Sequence, residues 1–339
     1  MTDRSSPSRI RNIAELARLA GVSAGTVSRA LANKDTVNTE TRSRIQALAR
    51  EHGFRPNQMA RRLRVQETRT IGIVVPLAHD RRQHLSDPFF MTMMGHLADA
   101  LTERGYDILL SRVIPEAGDW LERIVESGML DGVLLIGQST EFDAIERVAA
   151  FYRPMVVWGS HQPGQKQCTV GVDNRAGGRM AGETLIARGC KRIAFLGDTR
   201  AIEFRDRYQG LGEACRSAGL DPPIELPVHL ASDVMDQDIA ARLDEIGPSI
   251  DGIVAVSDLL AMRAVRLLAD RGIATPDQVA VTGFDDLPIA EQSVPRLTTV
   301  SQHIEQGARA MVEALFARIA GGDHESVIMQ PEVIRRETA

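Results

Sequence analysis

The sequence predicts a chain in two parts: an all-α helix-turn-helix headpiece at the N-terminus, then a larger α/β core of doubly wound sheets. Three observations carry this. Charge is unevenly spread along the chain. Capped helices recur at short intervals over residues 12–53. From Thr70 onward, short apolar strands alternate with helical stretches.

The 339 residues are too many for one ordinary core, since domains run to roughly 150 residues. With 43% hydrophobic and 25% charged residues, the composition is that of a globular protein, not a disordered one. No run approaches the ~18 apolar residues of a membrane span. The start, MTDRSSPSRIRN, has no apolar stretch behind its charges, so no signal peptide is expected. Cys168, Cys190 and Cys215 lie far apart, with no CxxC or Cys/His spacing. That argues against a disulfide framework or structural zinc and for a reducing cytoplasm. The net charge of −5 hides an asymmetry: residues 1–70 hold 14 Lys and Arg against 6 Asp and Glu, and residues 71–339 hold 26 against 39. A basic segment on an acidic body points to a polyanion partner for the first part. The alternative, a merely solvated basic tail, would suit a segment with no fold pattern, and this one has a pattern.

Asn12-Ile-Ala-Glu15 has the form of a capping box. Ile13, Leu16, Ala17 and Ala20 follow at helical spacing, and Gly21 supplies a helix stop. Ser23 is a suitable N-cap for a second helix over Ala24–Leu31, with Val27, Ala30 and Leu31 on one face. Asn38 or Thr39 caps a third, carrying Ile45, Leu48 and Ala49 and stopping at Gly53. Two short helices joined by a small Gly-containing turn make a helix-turn-helix, whose second helix normally enters the major groove of DNA.

The string NIAELARLAGVSAGTVSRAL, followed by VNTETRSRIQALAREHGFRPNQMARRLR, resembles the headpiece of the LacI/GalR family of bacterial transcription regulators. The match runs without a gap from Asn12 to about Arg64. The resemblance implies a headpiece over 1–56 and a hinge helix with its linker over 57–69. It places the recognition helix on Ala24–Leu31, with Ser23, Ala24, Gly25, Thr26, Ser28 and Arg29 near the bases. The two positions that usually choose bases are Ala24 and Gly25. Neither has a side chain that can hydrogen-bond a base edge, though Ala can meet a thymine methyl. Readout then falls to Thr26, Ser28 or Arg29, with Arg29 suited to a bidentate contact with guanine. Simple tolerance of small residues at a helix start explains Ala24 and Gly25 equally well. In the hinge, Asn57, Ala60, Arg61 and Leu63 are implied DNA contacts, Leu63 as an apolar wedge in the minor groove. Arg61, Arg62, Arg64 and Arg69 would sit by phosphates.

The core strands read 70–76, 107–113, 132–137, 155–158, 192–197, 252–256 and 279–284, with helices between, such as Phe89–Arg104 and Ser257–Arg271. Near-continuous apolar strands spaced by helices indicate parallel sheets covered on both faces. Ligands of such sheets bind beyond the carboxyl ends of the strands.

This stretch, 70–339, also resembles the family's periplasmic-binding-protein-like core of two doubly wound subdomains around a cleft. The resemblance implies one subdomain of about 70–170 plus 300–324 and a second of about 171–299 plus 325–339, with three chain crossings. Phe89 and Phe90 match positions where members place rings against the effector; one is expected there and the other in the core. Arg207, in FRDRYQG, matches an arginine that reaches effector hydroxyls or carboxylates. Asp285, in GFDDLP, matches the effector-binding acid. Ser257 stands where many relatives have Asn, with Asp258 expected at most to cap its helix, and Asp286 is expected as a cap or turn residue. Trp158 stands where others carry a polar contact, and either stacks on a ring or packs in the core. Asp173-Asn174 with Gly177 and Gly178 reads as a helix cap with close packing, since GxGxxG is absent.

The function expected is a sequence-specific DNA-binding transcription regulator, a repressor controlled by a small-molecule effector, foremost a sugar. A purine or organic acid acting as corepressor is the alternative. A doubly wound enzyme and a soluble sugar carrier are alternatives of other classes. No Walker, HExxH or GxGxxG motif occurs, and the GxSxG string Gly21–Gly25 falls in the turn of the helix-turn-helix and not between a strand and a helix, so no catalytic residue, metal or cofactor is expected. The expected partners are a roughly palindromic operator, a mono- or disaccharide and a second copy of the chain, with no membrane. The chain ends just past its last strand without a leucine heptad tail, so a dimer is expected.

Overall fold

The computed structural model describes residues 10, 12–54, 67–78, 81–230 and 234–339. The chain separates into two compact units, 1–68 and 69–339.

In the first unit, α1 is Ile13–Ala20, α2 is Ala24–Leu31 and α3 is Thr39–Glu51. Asn12 caps α1: its Oδ1 accepts the Glu15 amide at 2.9 Å, and its Nδ2 donates to the Glu15 carboxylate at 3.0 Å. Gly21 ends α1 at φ 64°, a left-handed conformation that an L side chain rarely adopts. Ser23 caps α2 and Asn38 caps α3, each accepting an amide three residues on. Leu16, Ala20, Val27, Ala30, Ile45 and Phe54 close a small core among the three helices. Gln46 Nε2 ties α3 to the end of α2 through the Ala30 carbonyl and Asn33 Oδ1.

The second unit holds two six-stranded sheets. The strands of the first half are β1 (Thr70–Pro76), β2 (Asp107–Val113), β3 (Gly132–Ile136), β4 (Met155–Trp158) and β5 (Cys168–Val172). Those of the second half are β6 (Ile193–Leu196), β7 (Ile224–Leu226), β8 (Gly252–Ala255), β9 (Ala280–Asp285), β10 (Thr298–Ser301), β11 (Val327–Met329) and β12 (Glu332–Ile334). The first sheet runs β11-β5-β4-β3-β1-β2 and the second β12-β10-β9-β8-β6-β7. All pairings are parallel except β10 with β12. The helices between are α4 (Pro88–Glu103), α5 (Trp120–Val125), α6 (Phe142–Ala149), α7 (Asn174–Arg188), α8 (Ile202–Ser217), α9 (Met235–Ile246), α10 (Asp258–Asp270), α11 (Pro288–Gln292) and α12 (Ile304–Ile319).

Each sheet is the centre of a lobe, and the chain passes between lobes after β5, after β10 and between β11 and β12. All three boundaries differ from the expectation, the first because β5 carries the first sheet through Val172. β11, expected in the second subdomain, is the edge of the first sheet, and all of β10, through Ser301, belongs to the second. These strands have three or four residues, too few for alternation to reveal which sheet they join. Strand β2 is an edge, not a covered interior strand, and it exposes Leu109 and Leu110. The expected hinge helix at 57–69 lies outside the described residues, apart from Glu67, Thr68 and Arg69, which are irregular. Arg69 belongs to the second unit instead of a DNA-facing hinge. Its amide donates to Asp131 at 2.8 Å and its guanidinium covers the Tyr106 ring.

Candidate functional site

On α2, Val27 and Ala30 are buried, whereas Ser23, Ala24, Gly25, Ser28 and Arg29 are exposed and Thr26 is half-buried. The helical period dictates this split: Val27 and Ala30 share the face that meets α1 and α3. The Ser23 and Thr26 hydroxyls bond each other at 2.9 Å while Ser23 accepts the Thr26 amide, so both are held by the cap. Ser28 and Arg29 remain as the polar side chains of that outer face. Asn57, Ala60, Arg61 and Leu63 lie outside the described residues.

In the second unit, Phe89, Phe90, Trp158, Arg207, Ser257 and Asp285 line one cavity between the lobes. Including its open mouth, the cavity spans about 640 Å³. The residues come from the carboxyl ends of β4, β8 and β9, from the first turn of α4 and from the second turn of α8, where open α/β sheets place ligands.

Asp87 caps α4, accepting the Phe89 amide at 2.9 Å, with Pro88 in the first turn. This fixes two successive rings. Phe90 turns into the first lobe's core, and Phe89 stays half-buried against Trp158, ring centroids 6.4 Å apart. Trp158 is buried, lying so close to Gly307 that a Cβ there would collide with the indole.

Arg207 is 4% exposed. Its Nε donates to Asn174 Oδ1 at 2.7 Å, an Nη donates to the Val256 carbonyl, and the guanidinium lies over Phe284. Glycines set this geometry: a Cβ on Gly178 would fall 2.0 Å from the Arg207 carbonyl oxygen, and one on Gly177 would strike Phe284. Asp173 caps the same helix through the Ala176 amide. The Gly-Gly pair therefore serves close helix packing that positions Arg207.

Asp285 accepts from Gln302 Nε2 and sits at φ 125°, followed by Asp286 at φ 56°. Such conformations cost on the order of 1–3 kcal/mol and are held only by surrounding structure. The ladder partner Ser301 and an Asp286–Arg336 ion pair supply it, which gives Asp286 its role at the turn. Ser257 is the N-cap of α10, accepting the Leu260 amide. Asp258 is therefore not the cap. It is fully buried, accepting from Thr299 Oγ1 and from the Leu287 amide at 2.8 Å.

Burial dominates the electrostatics. It pushes the Asp87, Glu203 and Asp285 carboxyls up, Asp258 up to about 7, and Arg207 down to about 10. The nearby carboxylates, Asp285 first, counter the shift on Arg207.

Several lining residues escaped the sequence reading. Glu203, buried in the first turn of α8, accepts the Gln138 amide at 2.9 Å, a bond from one lobe to the other. Gln302 follows β10 on a crossover. Gln83 and Asp87 belong to the β1–α4 loop, and Ser139 and Phe204 also line the cavity. Glu203 stands one helical turn before Arg207, and that spacing was a usable signal. The crossover position of Gln302 had none without the strand order.

Residues 12–57 match the bacterial regulatory proteins of the lacI family, and residues 183–339 match a periplasmic binding protein-like domain. The chain is 32% identical over 333 residues to the HTH-type transcriptional regulator CelR of Thermobifida fusca, covering 95% of this chain and 96% of that protein. It is similar to a solved transcriptional regulator CelR–cellobiose complex, with 29% identity, a TM-score of 0.70, and coverage of 97% of this chain and 100% of the other. The fold also matches a lac repressor dimer bound to operator and the anti-inducer ONPF, with a TM-score of 0.83, 21% identity, and coverage of 97% and 99%.

Proposed function

Since the chain belongs to the LacI family of bacterial regulatory proteins and is a DNA-binding transcription regulator, we propose that a sugar in the cleft controls its hold on DNA. The carrying observation is the convergence of Phe89, Trp158, Arg207 and Asp285 in one inter-lobe cavity. An aromatic face suits the C–H side of a sugar ring, and an Arg–Asp pair brackets hydroxyls through charge-assisted bonds. The cellobiose bound by the similar CelR structure supports a saccharide. The protein acts as a repressor without catalysing a reaction, and it works in the cytoplasm where its DNA is.

Two copies bind a roughly palindromic operator. The exposed apolar edge, Leu109 and Leu110 on β2 with Met91 on α4, supports self-association. Ser23, Ala24, Gly25, Thr26, Ser28 and Arg29 face the major groove, and Asn57, Ala60, Arg61 and Leu63 contact the minor groove and backbone. The ligand shifts DNA affinity because it binds one cleft state better than the other. Release from DNA is the expected direction.

The test begins with selection of bound sequences from random duplex DNA by the full-length protein. The selected site should be a palindrome, and a sugar that raises the thermal midpoint should weaken binding to it. A selected site without symmetry, or one whose binding no stabilising ligand alters, overturns this reading.

A further inference from the structure

The polar lining of the cleft is rich in acceptors. Asp87, Glu203 and Asp285 bring three carboxyl groups, and Arg207 is the one cationic side chain among the described lining residues. Arg207 is already committed to Asn174, the Val256 carbonyl and the Phe284 face. Three helix N-termini at the cleft would otherwise draw an anion. Here Asp87 and Ser257 cap two of them, and Glu203 occupies the first turn of the third.

Gln83 adds a further acceptor. It is 4% exposed and lines the cavity from the β1–α4 loop. Its Nε2 donates to Asp87 Oδ2 at 3.1 Å, while its Oε1 is buried without a hydrogen-bond partner. The loop around it is pinned. The Ala78 amide donates to Ser139 Oγ at 3.1 Å, and the Arg112 guanidinium donates to the Arg81 and Gln83 carbonyls at 2.6 and 3.1 Å. Asp87 thus holds Gln83 with one oxygen and the Phe89 amide with the other. A buried acceptor left unpaired is unfavourable until a donor arrives.

We propose that the cleft takes an uncharged, hydroxyl-rich sugar, one hydroxyl of which donates to Gln83 Oε1, and that it rejects sugar acids and sugar phosphates. This rests on the cleft being the effector site. Sugar hydroxyls supply donors to these acceptors. A carboxylate or phosphate would meet three carboxyl groups and a guanidinium that is already shared.

The experiment is calorimetry and thermal shift on the full-length protein. The neutral probes are glucose, maltose, cellobiose, sucrose and trehalose; the anionic probes are glucuronate, gluconate and glucose 6-phosphate. At least one neutral sugar should bind and no anionic probe should. Gln83→Ala, and Gln83→Met as a variant of matched bulk, should weaken that sugar about tenfold, the worth of one buried hydrogen bond. An anionic probe that binds, a panel in which no neutral sugar binds, or a sugar held equally well by both Gln83 variants overturns the proposal. A sugar held undiminished by Arg207→Ala and Asp285→Asn instead overturns the cleft reading beneath it.

Discussion

The guanidinium of Arg207 lies over the face of Phe284, its central carbon 3.6 Å from the ring centroid. Phe284 immediately precedes Asp285 on β9, so one strand supplies both the platform and the carboxyl that acts most strongly on the guanidinium. The cation is thereby held at the cleft floor with its position set by α7, α8 and β9 together.

Arg207→Ala should abolish the ligand response while operator binding by the headpiece persists. Charge-assisted bonds to a ligand are worth about 1.5–3 kcal/mol, so sugar affinity should fall by roughly 10–150-fold. Arg207→Lys should recover little of it, because a single ammonium does not reproduce the planar fork that reaches Asn174 and Val256. A gel-shift titration with sugar checks both variants, and a parental response in Arg207→Ala would show the anchor lies elsewhere.

Asp258 makes stability depend on pH. Burial lifts its folded value from 3.8 to about 7, so between those values the folded state holds a proton that the unfolded state has lost. Its contribution to stability therefore falls as pH rises from about 4 to about 7, then levels. Asn at this position can accept from the Leu287 amide and donate to Thr299 without titrating. Asp258→Asn should be increasingly more stable than the parent across that window, reaching on the order of 2–4 kcal/mol. Urea melts of the two proteins at pH 4 to 8 measure it; a constant difference would locate the proton on another group.

Gly178→Ala should damage both fold and site. Its Cβ would lie 2.0 Å from the Arg207 carbonyl oxygen, so α7 and α8 must part. Overpacking of this kind costs about 1–3 kcal/mol or more, and the shift carries Arg207 with it. Gly212→Ala, on the outer side of α8 with Pro223 at 4.0 Å, should be neutral or stabilising by up to ~1 kcal/mol. Thermal midpoints with and without sugar compare them. Equal midpoints for the two variants would mean the helices yield at no cost.

Arg29→Ala should lower operator affinity by about 1–3 kcal/mol and relax the choice at one base pair. Leu63→Ala should cost more on the operator than on random DNA, where a wedge need not insert. Affinities on both DNAs at several salt concentrations separate these effects from simple loss of phosphate contacts. If Arg29→Ala weakens all sequences alike, Arg29 reads no base.

The headpiece was legible in the sequence because its determinants are local. Asn12, Ser23 and Asn38 cap helices through amides three residues away, and the apolar face of each helix repeats within a turn. Strands β1, β3, β4, β6, β8 and β9 were legible because buried parallel strands are continuous apolar runs. The Thr-rich β10 and the three-residue β7, β11 and β12 were not: their membership in a sheet comes from neighbours far along the chain. The same holds for the cleft. Arg207 and Asp285 stood out through the sequence strings around them. The Glu203–Gln138 bond and the Asp285–Gln302 contact join residues 65 and 17 positions apart, and the unpaired acceptor of Gln83 depends on what packs around it. The sequence by itself determined the headpiece helices, the long apolar strands of the core, and how charge divides between the basic segment and the acidic body. Only the tertiary structure decided which carboxylates are buried together and which polar atoms are left to a ligand, because burial and pairing depend on what two lobes bring face to face.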